Sequence, residues 1–277
     1  MKLLTILPFA STIIAESDLA QHQKGWCVYL FNTCDLGNPD SPCYAPEKLD
    51  QTSENLCQPG CREAIEEAGL DTDLYDQYCP TRNSNCPRGG CSSSFNLAGI
   101  DGYGCWCNFG SDLTKGSGPV QNVFDGICKK FNLCLRCARW DGYDQGYGCN
   151  PLKDNYNAFG NPAFGIDCSA ANRGDDCGVS LCSCNVNFFQ RLLELLWSNT
   201  YYDDSFLHRK GFNTDICYSD DYQENEVELS CCGKYPDRFP YNKLSEDKEC
   251  CANTKLFNPM THECCGGKGK VRDPGTC

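Results

Sequence analysis

Two stretches of the chain repeat apolar residues at intervals of three and four, the spacing of a helix with one buried face. The first follows Pro119 and places apolar side chains at Val120, Val123, Phe124, Ile127, Cys128, Phe131, Cys134 and Leu135. The second runs from near Cys177 to about Trp197 and includes Leu181, Val186, Phe188, Phe189, Leu192, Leu193, Leu195 and Leu196. Pro119 suits a helix start, because a first-turn residue needs no amide donor. The pattern predicts two long helices.

The rest of the chain has a weaker pattern. Residues 59–69 contain good helix formers and end at Gly69, which predicts a short helix, and residues 71–78 predict a second one. Residues 140–176 between the long helices are rich in Gly, Asn, Asp and Tyr, which is compatible with a small two-stranded wing. The elements as a whole predict a mainly α protein.

The first 17 residues have the pattern of a signal peptide. Lys2 precedes an apolar run over residues 3–15, and Ala15-Glu16-Ser17 offers a small-residue cleavage site. No later apolar run approaches the roughly 20 residues that a membrane span requires. We therefore expect a secreted, extracellular protein without a transmembrane segment.

The chain contains 26 cysteines among 277 residues, a density typical of disulfide scaffolds in an oxidising compartment. Zinc is the competing interpretation, because Cys57-x3-Cys61 and Cys182-x-Cys184 have ligand-like spacing. A signal peptide favours disulfides over zinc. Spacing alone does not determine which cysteines pair.

The formal net charge is −13. Such a chain is poorly suited to bind nucleic acid or anionic lipid surfaces. Its natural counterions are calcium or basic partners, although the charge is equally well explained by solubility alone.

Several short motifs follow one another in a characteristic order. They are Y-G-C-W-C at 103–107, G-S-G-P at 116–119, D-G-I-C at 125–128, N-P-L-K-D-N-Y at 150–156 and C-x4-C-S-C-N at 177–185. In this order they resemble the calcium loop, the two long helices and the intervening segment of secreted phospholipase A2, over residues 86–217. The resemblance implies that the two long helices pack antiparallel.

The resemblance also implies a set of disulfide bonds. They are Cys107–Cys128, Cys134–Cys184, Cys168–Cys182 and Cys149–Cys177. Cys217 is then the nearest partner for Cys105, and Cys137 has no partner in the family pattern. Each loop-closing bridge of this kind contributes roughly 2 to 4 kcal/mol.

The resemblance breaks at the residues that perform the family's chemistry. Family spacing places the general-base His at Phe131, the calcium-binding Asp at Asn132 and the orienting Asp at Asn185, whereas Tyr156 is retained. One inserted residue would move the His–Asp pair to Asn132 and Leu133. Neither register supplies an imidazole, and loss of a general base alone costs about 10² to 10⁴ in rate. The chain therefore resembles a catalytically degenerate, otoconin-like member of the family.

Calcium is the one cofactor that the resemblance implies. The implied ligands are the carbonyl groups of Trp106, Asn108 and Gly110 and the side chain of Asn132. A further candidate set of ligands is Asp101, Asp112, Asp125 and Asp141, for which a solvated acidic loop is the simpler explanation.

His208 is a candidate displaced base, although an ordinary surface histidine is the simpler explanation. The Trp and Tyr residues in and near residues 103–118, which we call the glycine loop, suggest either a lipid-facing rim or internal packing.

The C-terminal segment contains adjacent cysteine pairs. They are Cys231-Cys232, Cys250-Cys251 and Cys264-Cys265, and the chain ends at Cys277. The pattern is similar to the di-cysteine repeats of galaxin-like matrix proteins. Adjacent cysteines point in different directions and normally bridge to two separate partners. We expect a small, loop-rich and strongly cross-linked module.

The sequence therefore predicts a mainly α, disulfide-rich protein with a phospholipase A2-like core between two cysteine-rich segments. The expected boundaries are 1–17, 18–85, 86–217 and 218–277. The favoured function is a structural or binding component of an extracellular matrix, with other secreted proteins as partners. One alternative is a calcium-dependent phospholipase A2 acting on the sn-2 ester of glycerophospholipids. The other is a module that binds lipid or protein in the pocket corresponding to the family's substrate site, which Phe131 makes more apolar.

Overall fold

The N-terminal part of the structure is helical and is closed by a disulfide. The computed structural model describes residues 25, 27–31, 61–68, 70–78, 100–109, 116–157, 160–161, 165–197, 203–218 and 228–277. Residues 27–31 are helical, and α1 (Cys61–Glu67) and α2 (Thr72–Tyr78) confirm the two short helices expected from the sequence. Cys27 is bonded to Cys61. The signal peptide, Gly110, Asp112 and the remaining cysteines before Cys105 lie outside the described residues.

The centre of the fold is a pair of long helices, α3 (Val123–Asp144) and α5 (Asp176–Trp197), each of 22 residues. Both helices were expected from their apolar spacing. Residues later in α3 contact residues earlier in α5: Ile127 lines a groove with Leu195, Phe131 stacks on Phe188, and Cys134 is bonded to Cys184. The two helices therefore lie antiparallel, and their facing sides form the core.

Helix α3 begins four residues later than Pro119, the start expected from the sequence. The reason is a local network of hydrogen bonds before the helix. The Asn122 side chain caps the helix by accepting the Asp125 amide hydrogen (3.0 Å), and the Gln121 amide donates to the Asp125 carboxylate (2.9 Å). An Asn in extended backbone is a favoured N-cap because its oxygen satisfies an amide that has no partner within the helix.

Residues between the long helices form a small wing and one short helix. Strands β1 (Gly160–Asn161) and β2 (Gly165–Ile166) pair antiparallel, and α4 (Cys168–Ala171) follows. Asp167 caps α4 by accepting the amides of Ser169 and Ala170. After α5, three 3-10 helices, Asp204–Phe206, His208–Lys210 and Thr214–Cys217, return the chain to the glycine loop.

The C-terminal segment consists of three antiparallel hairpins, where a loop-rich module was expected. They are β3–β4 (Leu229–Cys232 with Phe239–Asn242), β5–β6 (Glu249–Cys251 with Lys255–Phe257) and β7–β8 (Glu263–Cys265 with Lys270–Arg272). The first strand of each hairpin ends in an adjacent cysteine pair. Strand formation there was not evident in the sequence, because each strand is only three or four residues long, too short for a repeat of two residues to stand out.

The described residues contain ten disulfides and no free cysteine. The protein is therefore disulfide-rich, with helices in its first part and small sheets in its last. None of the described helices is both long and apolar enough to cross a membrane.

Candidate functional site

The glycine loop is organised around a buried carboxylate, that of Asp125 in the first turn of α3. One oxygen accepts the Trp106 amide hydrogen (2.8 Å) and the other accepts that of Gln121 (2.9 Å). Burial raises the pKa of Asp125 above its ordinary value, and these backbone donors oppose the rise. Gly104 has a positive φ of 58°, and a Cβ there would lie 2.5 Å from the Asp125 carboxyl carbon. Asp125 thus ties the loop to the helix, and the loop needs glycine to approach it.

The acidic residues around the loop do not form one cation site. Asp101 accepts the Phe109 amide hydrogen (2.9 Å), and Asp125 is occupied by two amides. Asp141 lies sixteen residues farther along the same helix, about 24 Å away at 1.5 Å per residue. The candidate set that includes Asp125 and Asp141 is therefore wrong, because a cation needs its oxygens within one coordination shell.

The position implied for the calcium carboxylate is Asn132, which is 2 % exposed. Its Oδ1 has no hydrogen-bond partner among the described residues. A Cβ on Gly116 would lie 3.4 Å from Asn132 Nδ2, so the glycine loop passes close to this side chain. Asn132 therefore has one buried acceptor oxygen without a hydrogen bond, and its amide nitrogen is the atom that lies near the loop at Gly116.

The described members of this donor set fall short of the coordination shell of a calcium ion. The Trp106 carbonyl already accepts the Asn108 amide hydrogen (2.9 Å), and both oxygens of Asp125 accept amide hydrogens. Asn132 and the Asn108 carbonyl then offer two neutral oxygens, whereas Ca²⁺ takes six to eight oxygens, usually including carboxylates. Gly110, the fourth implied ligand, lies outside the described residues.

The position implied for the general base is occupied by an aromatic stack. Phe131 is 5 % exposed and stacks on Phe188, with ring centroids 4.3 Å apart and planes inclined by 18°. Phe109 contacts both rings at 6.2 and 5.6 Å, and Phe188 contacts Phe189 at 5.8 Å. We call Phe109, Phe131, Phe188 and Phe189 the aromatic cluster. No group in the cluster accepts a proton from water.

The remaining implied site residues are Asn185 and Tyr156, and no hydrogen bond joins them. Asn185 is buried, and its Nδ2 donates to the Leu181 carbonyl of its own helix (2.8 Å). The Tyr156 hydroxyl is buried and has no partner in the described part of the chain. Burial raises the pKa of Tyr156 far above its ordinary value. A Cβ on Gly25 would lie 2.5 Å from this hydroxyl, so the N-terminal helical segment covers it.

His208 is not a free surface residue, because its ring and its backbone amide both contact other parts of the chain. Its Nε2 lies 2.6 Å from the Gly104 carbonyl oxygen and therefore donates to it. The ring stacks on Phe212 with planes inclined by 6°, and the His208 amide donates to the Gly102 carbonyl (2.8 Å). The histidine fastens the segment after α5 to the glycine loop, and the Cys105–Cys217 bridge reinforces this contact.

Trp106 belongs to the interior rather than to a lipid-facing rim. Its side chain is buried, and Nε1 donates to the Gly118 carbonyl (3.1 Å). Lys129 Nζ lies 4.8 Å from the ring centroid, and Arg136 donates to the Gly116 carbonyl (2.7 Å). Of the two interpretations, internal packing is the simpler, and it is the one that the structure supports for Trp106.

The bridges around this region are those that the resemblance implied. Cys107 is joined to Cys128, Cys134 to Cys184, Cys168 to Cys182 and Cys149 to Cys177. Cys137, which had no partner in that pattern, is bonded to Cys231 of the C-terminal module. Cys137, the cysteine without a partner in the family pattern, was therefore the sequence feature that indicated a connection between α3 and the C-terminal module.

Sequence reasoning missed the polar half of this joint. Asp141 on α3 accepts two hydrogen bonds from the Arg238 guanidinium (2.5 and 2.8 Å) and one from the Tyr235 hydroxyl (2.8 Å). Arg238 also donates to the Gly233 carbonyl (2.7 Å). Burial, and then the Asp141 contact, raise the pKa of Tyr235 far above its ordinary value. Asp141 is therefore a structural anchor for the module.

The C-terminal disulfides link each hairpin to the next. In each adjacent pair one cysteine bonds backward along the chain and the other bonds forward: Cys232 to Cys250, Cys251 to Cys264, and Cys265 to the terminal Cys277. Cys231 links the first hairpin to α3. This series of bridges therefore connects residues up to Cys277 covalently to α3.

Comparisons with protein-family models, with curated proteins and with solved structures found no match to this chain.

Proposed function

We propose that this chain is a secreted, phospholipase A2-like protein without catalytic activity, which serves as a structural component of an extracellular matrix. The observation that carries the proposal is the aromatic cluster at the position implied for the general base. A phenyl ring stacked on another ring at 4.3 Å neither takes a proton from water nor leaves room for one.

Two further observations support the inactive state. The buried oxygen of Asn132 is neutral, so no carboxylate faces the glycine loop from that position. Asn185 donates to its own helix backbone rather than orienting a base. The general base, the calcium-binding carboxylate and the orienting carboxylate are thus all replaced at the three implied positions, by Phe131, Asn132 and Asn185.

The disulfides support a structural role. Ten bridges in the described residues, four of which involve the adjacent cysteine pairs, suit an oxidising extracellular setting in which reduction does not reverse them. Each bridge restricts the unfolded chain, which stabilises the protein whether or not it turns over a substrate.

The test is a hydrolysis assay on mixed phospholipid vesicles with millimolar calcium. We expect release of fatty acid no greater than the blank, whereas an active secreted phospholipase A2 in the same vesicles serves as the positive control. Calcium-dependent release by this chain that disappears in His208→Ala would contradict the proposal and reveal a relocated base. Release that survives in His208→Ala would contradict it equally, through some other residue.

A further inference from the structure

Aromatic side chains at the C-terminal end of α3 line one cleft. Trp140 and Tyr143 are three residues apart on the helix and are therefore neighbours on its surface, and Tyr147 follows the helix end. Tyr143 is 83 % exposed and Tyr147 is 41 % exposed. The cleft has a volume of about 770 Å³, within the roughly 300 to 1,000 Å³ that is usual for small-ligand sites. We call it the tyrosine cleft.

A close approach of two backbone segments places Tyr147 beside the helix. The Gly148 amide donates to the Gly142 carbonyl of α3 (2.9 Å), and a Cβ on Gly142 would lie 2.5 Å from the Cys149 Cβ. Glycine at position 142 therefore lets the chain fold back on α3, and the Cys149–Cys177 bridge fastens the returning segment to α5. These contacts hold the cleft in a fixed shape, which reduces the ordering that binding would cost.

The three aromatic side chains of the cleft have no partners of their own. Within the described part of the chain, none of their rings stacks on another ring. Single exposed apolar side chains are normal on a protein surface and need no explanation. Three aromatic side chains that line one concave surface are instead typical of a binding site.

A polar cavity adjoins the aromatic part of the cleft. This second cavity, of about 510 Å³, shares Tyr147, Gly148 and Asp154 with the first. Burial, and then the Asp141 and Asp176 carboxylates, raise the pKa of Tyr147 above its ordinary value, in agreement with its place between the two cavities. The further polar side chains of the combined lining are Arg139, Asn150, Lys153, Asn155, Asp175 and Asp176.

The charges in this lining nearly cancel. Its two cations are Arg139 and Lys153, and its three anions are Asp154, Asp175 and Asp176, which leaves a formal charge of −1. Asp154 and Asp175 each direct one carboxylate oxygen to a backbone amide (2.7 and 2.9 Å), so the second oxygen of each can accept from a ligand. Donors and acceptors thus lie side by side, and hydroxyl groups, which both donate and accept, match such a lining.

We propose that the tyrosine cleft binds a polysaccharide of uncharged, β-linked, gluco-configured pyranose units. In such a unit every ring substituent is equatorial, so both faces of the sugar ring present C–H bonds, and the hydroxyls project from its edge. The C–H faces stack on the exposed aromatic rings, whose faces carry partial negative charge, and the hydroxyls meet the polar lining. The inference deepens the proposed matrix function and rests on it, because it names the class of matrix component that the chain would hold.

The experiment is isothermal titration calorimetry of the full, disulfide-bonded chain with cellohexaose and with chitohexaose. We expect at least one of them to bind, with an affinity that changes less than about twofold between 0.05 and 0.5 M NaCl, because salt does not screen an uncharged ligand. Tyr143→Ala should weaken binding by about fivefold or more, whereas Tyr143→Phe keeps the ring and should cost less than about twofold. Tyr218→Ala removes a tyrosine of similar exposure (74 %) outside the cleft and should leave the affinity unchanged.

Binding of neither oligosaccharide at millimolar concentration, or equal weakening by Tyr143→Ala and Tyr218→Ala, would overturn the inference. A chain that instead sediments with phosphatidylcholine vesicles, and fails to do so as Tyr143→Ala, would also overturn it and assign the cleft to a membrane surface. Binding of polylysine alone, lost at 0.5 M NaCl, would overturn it in favour of a basic protein partner. A chain that binds the oligosaccharide and also hydrolyses phospholipid would refute the proposed inactivity and support this inference, so the two are tested separately.

Discussion

At the scale of single residues, Phe131 and Asn132 have opposite energetic consequences. Burial of a phenylalanine side chain contributes about 1.5 to 3 kcal/mol, and an aromatic pair adds about 0.5 to 1.5 kcal/mol. Asn132 keeps a buried acceptor without a hydrogen bond, which costs about 1 to 3 kcal/mol. Phe131 therefore stabilises the helix pair, whereas Asn132 leaves a buried oxygen without a hydrogen bond.

Asn132→Asp should make the stability of the protein depend on calcium. An added carboxylate at a 2 % exposed position is an unpaired buried charge, so we expect the unfolding free energy at neutral pH to fall by about 3 to 5 kcal/mol in chelator. Calcium supplies the missing positive charge and should restore much of this loss. The measurement is thermal unfolding of variant and parent with chelator and with 5 mM calcium, in which the parent should not shift.

Asn185→Asp is the matched control for that experiment. It introduces the same charge at a buried asparagine on the facing helix, where Nδ2 donates to the Leu181 carbonyl. This variant should be destabilised without rescue by calcium. If the parent itself gains stability with calcium, its neutral oxygens suffice to bind the ion, and our reading of the donor set is wrong.

At the scale of elements, the far end of α3 serves as the docking site for the first C-terminal hairpin. Asp141 and Arg238 are almost completely buried, with side chains 12 % and 13 % exposed, and Tyr235 completes the network. A buried ion pair adds little net stability over an apolar pair, but loss of one partner leaves an uncompensated charge. The network therefore specifies how the hairpin sits on the helix.

Asp141→Ala should cost about 3 to 5 kcal/mol of unfolding free energy, because Arg238 then lies buried without its anion. Asp141→Leu combined with Arg238→Met should cost less than either substitution alone, since no charge remains buried. Urea unfolding of the oxidised protein measures the free energies, and amide exchange in β3 and β4 locates the loss. Strictly additive costs would mean that the pair is not coupled and that the docking depends on other contacts.

At the scale of the whole molecule, one disulfide joins the C-terminal module to the helical part. Among the described cysteines, Cys137–Cys231 alone connects residues 228–277 with the residues before them. The other bridges of the module remain within it. The covalent link and the Asp141 network meet at the same end of α3, so both act on one joint.

Cys137→Ala/Cys231→Ala should remove this covalent joint and leave the bridges on either side intact. With a specific protease site inserted between residues 218 and 228, cleavage should yield two fragments on non-reducing electrophoresis of the variant. The cleaved parent should migrate as a single species until it is reduced. Cys107→Ala/Cys128→Ala, which removes a bridge within the helical part, should behave as the parent does. Two fragments from the unreduced parent would show that the pairing of Cys137 is different.

The sequence by itself determined the long helices, because apolar residues at intervals of three and four are a local pattern that survives in any packing. It also determined that no imidazole stands between His22 and His208, and hence that the implied base position holds Phe131. Helix ends were less predictable: α3 begins at Val123 because side-chain bonds of Asn122 and Asp125 compete with the preference of Pro119.

Only the tertiary structure decided the rest of the candidate site and the module. Spacing gives no partner for Cys137, since pairing depends on which distant segments meet, and Cys231 lies 94 residues away. The engagement of Asp141 with Arg238 and of His208 with the glycine loop depends on the same long-range contacts. Each hairpin strand is too short to carry a period, so adjacent cysteines and the bridges between hairpins, rather than apolar alternation, hold the strands in place.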